Sequence, residues 1–209
     1  MYKRQGKAAL AGFADVEGTK IIVFYPKNGV SPVQEKQMVT QKGKNTHVVG
    51  IHGNFDDAQT GVKKLFGDTE LAKEMDAKGY QFSSANSINI GRLVPQIVYY
   101  VYAYATLYGQ GKLTDGQKMN VVVPTGNFGN ILAAYYAKNM GVPIDKLICA
   151  SNDNKVLFDF FQTGTYDRNR EIILTSSPSM DILISSNLER LIYKISGEDA
   201  EKNAALMES

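Results

Sequence analysis

One cysteine in 209 residues, Cys149, excludes a disulfide framework within the chain. It lies in the apolar run Leu147-Ile148-Cys149-Ala150, which suits a small buried residue better than a nucleophile. Histidine is nearly as scarce: His47 and His52 are the only two, and they sit along one strand and its end, facing opposite sides. No metal cluster follows from them. No run is apolar enough to cross a bilayer, because Ile97 to Leu107 is tyrosine-rich and too short. A signal peptide is not expected either, so a cytoplasmic location is the default. Lys plus Arg number 23 against 21 Asp plus Glu, giving a net charge of +2. With no basic block, nucleic acid is not an expected partner. Two nucleotide fingerprints are also missing: there is no P-loop lysine and no GxGxxG spacing.

What is present is an ordinary globular composition, 44% hydrophobic and 21% charged, large enough to bury a core. Apolar β-branched runs alternate with helical patterns and short connections, as in a parallel α/β sheet. The strands expected are Lys20 to Tyr25, Thr46 to Ile51, Tyr80 to Phe82, Val121 to Val123 and Lys146 to Ala150, with Ile172 to Leu174 strand or extended. The runs at Lys20 and Val121 read as buried strands. Helices are expected over Lys7 to Ala14, Pro32 to Gln41 and Asn54 to Phe66, with another short one capped by Asp68 or Thr69 and running to about Lys78. Others are expected over Ile90 to Tyr108, Ile131 onward, Val156 to Gln162, a stretch carrying Ile182, Leu183, Leu188 and Leu191, and Ala200 to Ser209. Asp56 and Asp57 are adjacent in the first turn of one helix. Neighbouring side chains diverge there, so they read as helix-end charges and not as an acid–base pair. The tyrosines at 99, 100, 102, 104 and 108 nearly encircle their helix, which suits burial or packing against a partner subunit.

The chain is organised around Met119 to Tyr136, a strand, a tight polar turn and a helix. Gly126 and Gly129 allow a sharp turn and close approach of a ligand. The unpaired N–H groups of the helix start can hold a phosphate. A Gly-rich βα turn with Asn127 or Asn130 as N-cap stands beside that possibility. A second polar turn, Ser83 to Asn89, also falls at a strand end, where ligands gather in open sheets. If the two turns converge, Asn86, Ser87, Asn127 and Asn130 supply neutral donors. Arg92, about one turn into the following helix, supplies a cationic fork. Such a set suits phosphates or carboxylates and contains no evident base or nucleophile.

The stretches GKAALAGFADVEGTKIIVFYPKNGVSPVQEKQMVTQ, GNFDDAQTGVKK, SSANSINIGRLVPQI and VPTGNFGNILAAYYAKNMG resemble threonine synthases, from about Gly6 to the end of the chain. The resemblance implies a pyridoxal-phosphate enzyme of the tryptophan-synthase-β-like fold type II, an open, mostly parallel α/β sheet with flanking helices, here incomplete. The family converts O-phosphohomoserine and water to threonine and phosphate. By the same resemblance, backbone N–H groups of Gly126, Asn127, Phe128, Gly129 and Asn130 surround the cofactor phosphate. Asn86, Ser87 and Arg92 hold the substrate phosphate, and Asn127 shares that task. Pyridoxal phosphate serves as the electron sink.

The departures are specific. The family's Schiff-base lysine belongs to a Phe-Lys-Asp motif, and none occurs here. Of its Ser-Gly-Asp-Thr-Gly loop only Gly6 could remain. Residues 1–5 fit no family residue and read as a tag or artefact, leaving 6–209 as a partial catalytic region lacking both ends. No lysine present suits the covalent role. The chain alone is therefore expected to be inactive and to form no covalent bond to the cofactor. Borohydride fixation of pyridoxal phosphate on a single lysine would contradict that. Monomer and homodimer both remain open. Two alternatives stand: another lyase of this cofactor class, such as a serine or threonine dehydratase, or a non-catalytic α/β phosphate-binding module. SSANSINIGR speaks against the dehydratase, which has no need of a substrate-phosphate grip.

Overall fold

Alternating strand and helix patterns give alternating strands and helices. The computed structural model describes residues 5–177 and 180–208. Residues 1–4 of the expected tag, Pro178 and Ser179 just before one expected helix, and Ser209 at the end of another lie outside the described residues. The chain divides into two units, residues 1–86 with 176–179, and residues 87–175 with 180–209.

The first unit runs α1 (Gln5–Gly12), β1 (Ile21–Pro26), α2 (Pro32–Val39), β2 (Thr46–Ile51), α3 (Phe55–Gly67) and α4 (Thr69–Ala77). β1 and β2 pair in parallel, from Ile21 opposite Thr46 to Pro26 opposite Ile51. Helix starts follow local chemistry. Ser31 caps α2 in a reciprocal box with Gln34, and Pro32 stands at the first helical position. Asn54 and Asp57 form the same kind of box at α3, with bonds of 2.8 and 2.9 Å. Asp57 is thus committed to the helix start, as its position in the first turn suggests. Burial, and then the neighbouring charge of Asp57, raise the Asp56 carboxyl. β1 is not buried on both faces, as its apolar run had suggested: Ile22 and Phe24 are exposed. Residues 80–82 form no strand; Phe82 instead stacks on Phe66 with ring centroids 5.6 Å apart.

The second unit contains α5 (Ile90–Leu93), a 3₁₀ turn (Val94–Gln96), α6 (Ile97–Gly109), β3 (Met119–Pro124), α7 (Gly129–Asn139), β4 (Ile144–Ala150), α8 (Val156–Thr163), α9 (Leu188–Ile195) and α10 (Ala200–Glu208). The single helix expected from Ile90 to Tyr108 is divided where Pro95 lacks the N–H that an α-helical bond requires. Of its tyrosines Tyr100 is buried, whereas Tyr99, Tyr102 and Tyr108 are exposed. β3 and β4 pair in parallel, with Val121 opposite Leu147 and Val123 opposite Cys149.

α7 is the core of this unit. Leu132, Ala133, Ala134 and Ala137 are fully buried, joined by Leu93, Val123, Phe128, Ile131, Ile144, Val156, Leu157 and Leu188. Small alanines along one helix allow its neighbours to approach closely. The α/β class and the parallel pairing are as expected, but the strands form two two-stranded sheets among the described residues. α7 covers one face of β3 only. Val122 and Ile148, paired in register, are exposed on the other, so Val121–Val123 is not the doubly covered strand that its sequence suggests.

The segment after α8 departs furthest from expectation. Residues 172–174 join no ladder. Asn154 substitutes for a strand: it accepts from the Ile173 N–H at 2.9 Å and donates to the Ile173 carbonyl at 2.8 Å. The buried Asp181 carboxylate accepts from Asn152 and Asn154 side-chain amides and from the Thr175 N–H and hydroxyl, at 2.7 to 3.1 Å. The helix expected around Ile182 and Leu183 begins only at Leu188. These polar side chains bind loops instead of leaving the backbone to helical bonding.

Candidate phosphate-binding site

The turn between β3 and α7 is shaped by one residue in an uncommon conformation. Phe128 stands at the N-cap of α7 with φ of +62°, in the left-handed region, and makes no side-chain cap bond. Its ring is buried in the core and lies 6.1 Å from that of Phe161. Neither Asn127 nor Asn130 is the cap, the simpler role that spacing had offered them. The backbone N–H groups of Asn127, Phe128, Gly129 and Asn130 have no acceptor among the described residues. Four donors collected at the positive end of a three-turn helix suit a phosphate dianion. The donor set of this turn therefore fits the phosphate of a cofactor.

The glycines of the turn have a packing reason beside the one expected. A Cβ on Gly129 would lie 2.9 Å from the Ser87 Cβ, and one on Gly126 would lie 2.9 Å from the Ile182 Cδ1. Both permit close approach of protein to protein.

Ser87 and Asn127 do come together. The Asn127 side-chain amide donates to the Ser87 Oγ at 3.2 Å. Asn127 Oδ1 accepts from the Ser186 N–H and hydroxyl, both at 2.8 Å. Asn130 turns its side chain elsewhere. Its Nδ2 donates to Gln96 at 3.0 Å, and its Oδ1 accepts the Tyr100 hydroxyl at 2.6 Å. Only its backbone N–H belongs to the turn. Burial pushes the Tyr100 phenol up to about 12. Arg92 lies in α5, one helical turn before Gln96 on the same face, and Gln96 donates to the Arg92 carbonyl at 3.0 Å. Asn86 ends the first unit, where its side chain accepts the Ser84 hydroxyl at 2.5 Å.

Sequence reasoning missed the segment that ties these turns. Asn187, fully buried, donates to the Ser87 Oγ and to the Asn127 carbonyl, both at 2.8 Å. Arg190 donates to the Ser87 carbonyl at 2.7 Å and to the Ile88 carbonyl at 2.6 Å, and its guanidinium also contacts the Asn187 Oδ1. The Ser185 hydroxyl donates to the Gly126 carbonyl. The available signal was the run Ser185-Ser186-Asn187, small and polar, inside a pattern otherwise read as helix.

Cys149 is half-buried, and burial raises its thiol, with a Thr125 hydrogen bond acting the other way. That environment suits an unreactive thiol. Among the described residues no group of His, Cys, Asp and Glu could hold a metal ion, and no helix is long and apolar enough to cross a membrane.

Parallel βα units with a glycine-containing polar turn at a strand's carboxyl end make this an α/β chain, and superposition places it in fold type II. The structure matches that of the pyridoxal-phosphate-bound threonine synthase from Brucella melitensis with a TM-score of 0.80 and 42% identity, over 97% of this chain and 41% of that one. The chain is a relative of the threonine synthases. It is 47% identical over 203 residues to threonine synthase-like 1 of Homo sapiens, covering 94% of this chain and 27% of that protein. Against threonine synthase of Saccharomyces cerevisiae the identity is 42% over 193 residues, covering 92% of this chain and 36% of that one. No family model matches. The chain thus spans between about a quarter and two fifths of the length of these relatives.

Proposed function

We propose that this chain carries the phosphate-gripping part of a threonine synthase, which converts O-phosphohomoserine and water to threonine and phosphate. The observation that supports this most is the cluster of acceptor-less N–H groups at residues 127–130, beside a serine hydroxyl held by Asn127. In this proposal the backbone of Gly126, Asn127, Phe128, Gly129 and Asn130 receives the phosphate of pyridoxal phosphate. The cofactor, when bound, supplies an electron sink. Ser87, Arg92 and Asn127 grip the substrate phosphate, and the resemblance extends the same part to Asn86, the preceding residue in the chain. The Ser87 hydroxyl and the Asn127 amide orient the phosphate oxygens. The Arg92 guanidinium favours the dianion as negative charge collects on the departing group.

The two roles separate under mutation. Arg92→Ala is expected to weaken O-phosphohomoserine binding by about 10- to 100-fold, the scale of one charge-assisted hydrogen bond, and to leave cofactor affinity within about twofold. Calorimetric titration with each ligand reads both. Equal losses would overturn the division of roles.

A further inference from the structure

We propose that Asn187 is a positioning residue: its carboxamide compels the Ser87 hydroxyl to act as a donor toward a bound phosphate. This rests on the phosphate-gripping function proposed above. The orientation of both amides is fixed by partners that can act in one sense only. Asn127 Oδ1 accepts from the Ser186 backbone N–H, which can only donate, so its Nδ2 must face Ser87. Asn187 Oδ1 meets the Arg190 guanidinium, which can only donate, and its Nδ2 meets the Asn127 carbonyl, which can only accept. Turning either amide would oppose like groups in a buried site.

Ser87 Oγ therefore accepts two hydrogen bonds, one from Asn127 and one from Asn187. A hydroxyl oxygen has two lone pairs and one proton. With both lone pairs engaged, the proton takes the remaining direction, and no described residue accepts it there. An oxyanion is its natural acceptor. Arg190 fixes the backbone beneath by spanning the Ser87 and Ile88 carbonyls. The hydroxyl is thus oriented before any ligand arrives, which removes an ordering cost from binding.

Asn187→Asp keeps the shape of the side chain and its contact with Arg190, but it replaces the donor edge with an acceptor. The Ser87 proton then turns inward. Inorganic phosphate titrated into the full chain by calorimetry is expected to bind about tenfold more weakly to this variant than to the wild type. Ser87→Ala should lose about the same. The double variant should bind no more weakly than either single one, because both remove the same hydrogen bond. Additive losses, or wild-type affinity in Asn187→Asp, overturn the positioning role while leaving phosphate binding in place. No phosphate binding by the wild type overturns the proposed function and this role together. Should circular dichroism show that Asn187→Asp does not fold, Arg190→Lys takes its place. A lysine cannot span the two carbonyls and hold the Asn187 Oδ1, so severalfold weaker binding, not additive with Ser87→Ala, is expected; unchanged or additive affinity overturns the role.

Discussion

Gly129→Ala is expected to destabilise the second unit by about 1–3 kcal/mol and to abolish measurable phosphate binding. Alanine is otherwise the better helix residue, by roughly 0.5–1 kcal/mol over glycine. The sign is decided by space. The new Cβ would meet the Ser87 Cβ at 2.9 Å and the Asn187 Nδ2 at 3.3 Å, two groups with little freedom to withdraw. Ser87 is held through its hydroxyl by Asn127 and Asn187 and through its carbonyl by Arg190. The nearest neighbour of a Cβ on Gly126 is the tip of Ile182, which can change rotamer. Gly126→Ala should therefore cost less than Gly129→Ala. Urea unfolding and phosphate titration of the pair check the ordering, and a milder Gly129→Ala would show that the two turns are not locked as described.

Leu132→Ala is expected to cost about 2–5 kcal/mol, because the side chain is fully buried at the middle of α7 and the neighbouring alanines have no bulk to move into the space. For a chain of this size that corresponds to a fall of roughly 5–15 °C in Tm. Met140→Ala, one residue beyond the same helix and largely exposed, should stay within about 0.5 kcal/mol. Thermal unfolding of the two variants tests whether α7 is the core of its unit.

The sequence made legible what depends on neighbours along the chain. The starts of α2 at Pro32 and of α3 with Asp56 and Asp57 in its first turn were legible because helix-start signals act within a few residues, while the Asn54–Asp57 box itself came from the structure. The β3–turn–α7 unit was legible for the same reason, and so was the meeting of Ser87 with Asn127, through the resemblance. What depends on residues distant in sequence was not. Ile182 and Leu183 carry a helical pattern, yet Asp181 and Ser185 bind loops that no local rule connects to them. Asn187 reaches Ser87, a hundred positions earlier, and nothing in its own neighbourhood reports that. Exposure was equally hidden. Val121 to Val123 has the composition of a strand covered on both faces, but composition does not say which face finds a helix.

Phe128 gives the site a fixed shape from an unexpected quarter. A left-handed backbone costs a phenylalanine about 1–2 kcal/mol, and burial of its ring in the core returns about as much or more. The fan of N–H groups is therefore aimed by a wedge driven into the core beneath it, and under the proposed function selectivity for a tetrahedral anion is set by side-chain packing on the dry side of the turn. Sharpening or blunting that preference is a matter of recutting the wedge and its Phe161 neighbour, with every anion-facing atom left in place.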